Sequence, residues 1–280
     1  ESSRYVRDAA LSRAVGARSP EDDTSQATGA WVQAIGGNGK LDGNANTART
    51  DSNTSGLLVG IDHDVGGWNV GLLLGNGRTD TRQAQGRSAK ARIDSNHVGL
   101  YAGHQWGGFG LRGGLGYARH DIDTERQIAF AGFSEGANAS YDATTRQAFI
   151  EAGYRFGGVQ GGLEPYLQVA RVEVDVDDVR ERGGASALSG SVADTATTVA
   201  TAGVRFDKGL KAAFQQEAWL HLTGGVGYRR ASGDRDGRAD LAFAGGNAFA
   251  VSGAPIADSA VVAELGLSAW LTARQQLELG

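Results

Sequence analysis

The 280-residue chain contains no cysteine, which rules out a disulfide framework and any thiolate metal site. A chain without thiols can also pass unfolded through an oxidising compartment without mispairing. Only three prolines occur, so long sheet ladders can run with few missing N–H donors. No run of 18 or more apolar residues exists, and a membrane-spanning helix is thereby excluded. The mean hydropathy of −0.30 does not exclude a membrane β-barrel, whose bore-facing positions are polar. The net charge of −5 is mild and comes without the basic block that nucleic acid demands. Glu1 to Arg7 lacks the apolar core of a secretory leader, as expected of a mature segment.

What the chain has in abundance is glycine, 44 residues, in a texture that is uniform after about residue 25. Glycine weakens helix interiors, so this composition favours closely packed strands. Short Gly-rich connections at 66–67, 106–110 and 157–162 take turns with long polar passages at 76–94, 121–145 and 175–198. Long on one side and short on the other is the layout of an outer-membrane barrel. Strands are predicted at 29–41, 54–65, 68–80, 91–106, 109–122, 143–157, 163–176, 195–207, 218–231 and 259–272, with an eleventh beginning at 274. Closing such a sheet requires that eleventh strand to continue and a twelfth to pair with the first, because an open edge in hydrocarbon leaves backbone groups unsatisfied.

Alternation assigns the faces. Ala148, Ile150, Ala152, Tyr154 and Phe156 are expected toward lipid, while Gln147, Glu151, Gly153 and Arg155 face a wet bore. Leu111, Leu115 and Tyr117 likewise oppose Arg112, and Val226 and Tyr228 oppose His221 and Arg229. Near the end, Val261, Leu265 and Leu267 oppose Glu264. Trp31, Trp68, Trp106, Phe156 and Phe206 flank short turns, where an interfacial girdle is expected.

Residues 4–17 read as a helix about 20 Å long, ahead of Pro20. Residues 1–25 therefore form a linker carrying a pore-traversing helix, and residues 26–280 the barrel domain. Arg4, Arg7, Leu11 and Arg18 share a stripe, Arg13 joins them, and this set is expected to meet acidic bore residues. The wall candidates are Glu151, Arg155, Glu164, His221, Arg229, Glu264 and Glu278. If the short turns are periplasmic, the helix must run from outside inward. The competing placement is a solvated helix outside the barrel.

Reaction chemistry finds no support. Of the histidines at 63, 97, 104, 120 and 221, His97 and His104 fall on opposite faces of one strand, a poor arrangement for chelation, and His63 with Asp64 beside serines gives no organised triad. The Asp-rich segment Val174 to Asp178 reads as a solvated strand extension rather than a calcium site, and Gly75 to Gly77 precedes no helix that could hold a phosphate. Neither cofactor nor metal is expected.

Four segments in order carry a family resemblance: Gly29 to Trp31 behind the arginine helix, Thr54 to Asp62, Asn96 to His104, and Phe243 to Ile256 ahead of Glu264 to Leu267. The chain resembles the C-terminal translocator domain of an autotransporter, the type V secretion β-domain. That resemblance implies an all-β, transmembrane, antiparallel up-and-down barrel of twelve strands with an α-helix in its lumen. It also implies a bacterial outer-membrane location, an N-terminal passenger as partner, and assembly by the barrel-assembly machinery and periplasmic chaperones. Some members cut their linker at an asparagine inside the barrel; none precedes Asn38, so no scissile bond follows. The alternative is a passive porin-type channel or a small adhesin barrel with residues 1–25 as a tail.

Overall fold

The computed structural model describes residues 2–14, 28–41, 49–83, 88–158, 161–210, 220–253, 256–272 and 275–279. A helix, α1 (Ser2–Ala14), precedes a meander of β1 (Thr28–Leu41), β2 (Thr50–Val65), β3 (Trp68–Gln83), β4 (Ser88–Trp106), β5 (Phe109–Phe130) and β6 (Phe133–Tyr154). Next come β7 (Phe156–Gly158), β8 (Gly161–Val176), β9 (Val179–Arg180), β10 (Arg182–Gly183), β11 (Leu188–Val192) and β12 (Thr195–Leu210). The chain continues through β13 (Leu220–Gly233), β14 (Arg238–Phe243), β15 (Phe249–Ser252), β16 (Ser259–Thr272) and β17 (Gln275–Leu279). The principal sheet pairs in the order β1-β2-β3-β4-β5-β6-β8-β12-β13-β16-β17, all antiparallel. This is an up-and-down path, curled around α1.

The long strands start and stop where alternation puts them at the short-turn end. Gly66 and Gly67 (φ 63° and 86°) and Gly107 (φ 59°) supply the left-handed conformations those turns need. At the other end the strands run further than their polar sequence suggests. β5 and β6 extend through most of the 121–145 passage to a turn at Gly132, where Phe130 and Phe133 stack with centroids 4.8 Å apart. Beyond the bilayer both faces of a strand meet water, so apolar alternation fades while the ladder persists.

A second sheet, in the order β15-β14-β11-β9, is built from the long connections 177–194 and 234–258 and was not legible as strands. It is tied down by side chains. Arg126 forks onto Glu181 at 2.7 and 2.6 Å, and Glu135 accepts from the backbone N–H groups of Ala185 and Ser186 at 2.9 and 2.8 Å. β10 pairs with β6 beside these contacts.

The outer face is apolar in a band. On β5, Phe109, Leu111, Gly113, Leu115 and Tyr117 point outward before Arg119 interrupts. That nine-residue stretch matches a tilted strand crossing hydrocarbon. Along the short-turn rim Trp68, His104, Trp106 and Phe109 form a run of ring contacts 4.3–6.0 Å apart, and Tyr154 and Phe156 make a further one at 4.8 Å. Trp31 departs from the girdle: it is buried on the inner side, because its parity on β1 places it opposite outward Ala30 and Val32.

Candidate functional site: the bore and its helix

Alanine-rich composition makes α1 slim enough to lie against a concave sheet. Val6, Arg7, Ala9, Ala10, Leu11 and Ala14 are buried, packed with the inward Trp31, Leu58, Leu73, Tyr101 and Phe149. The helix thus packs against a cluster of apolar inward residues, where small and polar inner positions were expected to line a wet bore. The helix leans on β2 to β6, and most of the apolar inward residues lie there or on the adjoining β1. A Cβ at Gly103 would land on the Ala14 carbonyl, so this glycine permits the close approach of helix end and wall.

Direction follows from the contacts at the two ends. Near the helix start, Gln147 Nε2 donates to the Ser3 carbonyl at 3.0 Å, from a β6 position well above Tyr154 at the short-turn end. Near its end, Asn69 Nδ2 donates to the Arg13 carbonyl at 2.6 Å, one residue beyond the start of β3 at the short-turn rim. The helix therefore descends toward the short turns, as the topology predicted.

Arg13 anchors that lower end. Its Nε lies 3.5 Å from Asp62, and its guanidinium sits 5.7 Å above the Trp31 ring. Trp31 donates to the Tyr101 hydroxyl at 2.9 Å, which in turn donates to Asp62 at 3.0 Å. Four residues from β1, β2, β4 and α1 thus form one connected polar cluster, in which Arg13 Nε makes an ion-pair contact to Asp62 but no hydrogen bond among the described residues.

The other expected pairings differ. Arg4 and Arg7 lie 3.8 and 3.9 Å from Asp8 of their own helix, and among the described residues neither pairs with a wall carboxylate. Glu151 is fully buried and is saturated by the wall itself: Arg205 grips both oxygens at 2.6 Å, Arg112 Nε approaches to 2.8 Å and Gln168 donates at 2.8 Å. Arg112 also binds Glu164, and Arg205 stacks on Tyr166 at 3.8 Å. The reason is register. Arg112 is directly opposite Glu151, so the wall's own arginine arrives before the helix can.

Arg155 pairs with Asp207 at 2.5 Å beside the short turn. Arg229 is half-buried and inward, with no hydrogen-bond partner at Nε among the described residues. Glu264 is exposed on β16, and Leu11 is buried against the wall. His221 and Glu278 lie on β13 and β17, but their side chains fall outside the described residues, as does Arg18 entirely. Asp8, Asp62, Trp31, Tyr101, Gln168 and Arg205 were not among the site candidates; Arg112 was placed on the bore face by alternation but not as the partner of Glu151, and the same alternation signal could have found Asp62.

An antiparallel up-and-down sheet with an apolar exterior, an ion-paired inner wall and an internal helix defines an outer-membrane translocator barrel. The chain belongs to the Autotransporter beta-domain family, whose profile matches residues 30–280. It is 31% and 29% identical to two proteins of Serratia marcescens named extracellular serine protease, each over 99% of this chain. The chain spans about a quarter of those relatives, 27% of their length. In fold it is similar to the translocator domain of the autotransporter NalP from Neisseria meningitidis, with a TM-score of 0.71, 20% identity, and 97% and 84% of the two chains covered. The transport unit of AIDA-I from Escherichia coli gives 0.58 at 14% identity, covering 92% and 84%. The chain is the outer-membrane translocator domain of an autotransporter, and its family implies a passenger attached on the N-terminal side.

Proposed function

We propose that residues 1–25 are the linker and 26–280 the translocator proper, and that the helix stoppers the bore once the passenger has crossed. The observation that carries this is the oriented seating of α1, with Ser3 against Gln147 and Arg13 at the short-turn rim. A chain entering from the outer side emerges at the cell surface, where a passenger either stays anchored or is released. Transport in this reading is topological: the barrel satisfies its backbone in lipid, and its polar wall accommodates the linker. The barrel itself performs no catalysis. Because the Serratia relatives are named serine proteases, peptide hydrolysis is the first activity to assay in the passenger. Folding is proposed to need the barrel-assembly machinery and periplasmic chaperones.

Conductance tests the stopper. Deleting residues 2–14 should open a persistent ion-conducting pore in planar bilayers, while the intact protein stays mostly closed. Equal conductance of the two would reject the stopper and favour a passive channel with a tail.

A further inference from the structure

The two margins of the outward apolar band differ in chemistry. At the short-turn margin stand Trp68, Trp106, Phe109, Tyr154, Phe156 and Phe206, with Lys208 as the outward cation. At the opposite margin the first outward residue beyond the apolar run is arginine on three adjacent strands. Arg119 follows Tyr117 on β5, Arg146 follows Ala148 on β6, and Arg171 follows Val169 on β8.

Register makes these three a connected row. Arg119 is opposite Thr144 and Arg146 opposite Glu173, so each arginine is the diagonal neighbour of the next. Diagonal neighbours lie about 7–8 Å apart at the backbone, within reach of a shared anion for two long side chains. The three arginine side chains are 61%, 62% and 48% exposed, and the outer carboxylates Asp142, Asp175 and Glu173 touch them at 2.5, 3.4 and 3.4 Å. Each guanidinium has five N–H donors, so the carboxylate contacts, with one further bond from Arg171 Nη1 to the Thr198 hydroxyl at 3.1 Å, leave donors over for a headgroup anion. Arginine is also the residue whose planar fork grips phosphate bidentately.

We propose that Arg119, Arg146 and Arg171 form a binding row for the phosphate groups of an outer-leaflet phosphoglycolipid of the lipid A type. The row fixes the height and rotation of the barrel in the membrane, and one lipid binds per row through its two phosphates.

Native mass spectrometry of the detergent-purified protein with added bisphosphorylated lipid A tests this. The wild-type protein should bind it at least tenfold more tightly than dephosphorylated lipid A or phosphatidylglycerol. R119Q/R146Q/R171Q should bind it about a hundredfold more weakly, the product of three arginine contributions at a lipid surface. The lysine triple variant should fall between, since charge survives and the fork does not. R180Q/R238Q, which removes charge from the second sheet, should bind as wild type. Heat-modifiable migration on gels verifies that each variant is folded. Binding by the glutamine triple variant within threefold of wild type would overturn the proposal. So would equal affinity for phosphatidylglycerol, which marks generic anion attraction, or full displacement by inorganic phosphate, which marks a free-anion site.

Discussion

Replacing Glu151 with alanine should be the most destabilising single change in the inner wall. The carboxylate is fully buried and receives two bonds of 2.6 Å from Arg205, one approach of 2.8 Å from Arg112 and one bond of 2.8 Å from Gln168. Its loss strands two guanidiniums close together, with Arg112 only 6% exposed and Arg205 29%. Breaking a buried pair by deleting one partner costs about 3–5 kcal/mol. Arg112 keeps Glu164, and Arg205 has Glu164 4.0 Å away, so the lower end, about 3 kcal/mol, is expected. Urea titration of the refolded protein in micelles, followed by tryptophan fluorescence, reads this as a fall in midpoint at constant slope. E151Q retains an acceptor and should lose roughly half as much. The apolar triple variant E151L/R112M/R205M should recover most of the loss, because no charge is then left buried alone. A loss below about 1 kcal/mol for E151A would refute the claim that this cluster braces the wall.

Other consequences follow from the same geometry. Gly103→Leu places a side chain where the Ala14 carbonyl lies, so it should lift the helix end and raise single-channel open probability, at about 1–3 kcal/mol of thermal stability. Arg13→Ala removes the contact to Asp62 and the Trp31 face, and should speed hydrogen exchange in the last helical turn without changing β4. Glu135 has its carboxyl held below the ordinary glutamate value by the Ser186 hydroxyl and the N–H groups of Ser186 and Ala185. A depressed folded-state value means the docking of the 177–194 segment is fully supported above the ordinary glutamate range and is lost as pH falls through the lowered one. Hydrogen exchange at Ala185 and Ser186 should therefore accelerate in strong acid, and E135Q should show fast exchange already at neutral pH.

The barrel was legible wherever chemistry alternated at membrane depth. Leu115 and Tyr117 against Arg112 and Ala118 announce the face of β5 with no structure at hand, and the same holds for Ile150 against Glu151 on β6. What stayed hidden lies outside the bilayer or depends on which walls meet. The upper half of β5 and β6 carries polar residues on both faces, and β9, β11, β14 and β15 are too short to show a period. The helix was legible from its alanines, and its direction from strand topology. Its partners were not: acid on the wall and base on the helix suggested cross-pairing, whereas register sets Arg112 opposite Glu151 within the sheet. Trp31 read as a girdle residue because sequence proximity to a strand end does not reveal which side a ring takes.

The most direct test of the seated helix is cross-linking in living cells, to which these 280 residues contribute no cysteine of their own. Single pairs S3C/Q147C and S3C/N69C, treated with a short thiol-specific linker in intact cells, report where the helix start lies. The account predicts efficient linkage of Ser3 to position 147 and none to position 69, since Asn69 touches the opposite end of the helix. Linkage to position 69 instead, or to neither, would place the helix upside down or outside the barrel and contradict the account.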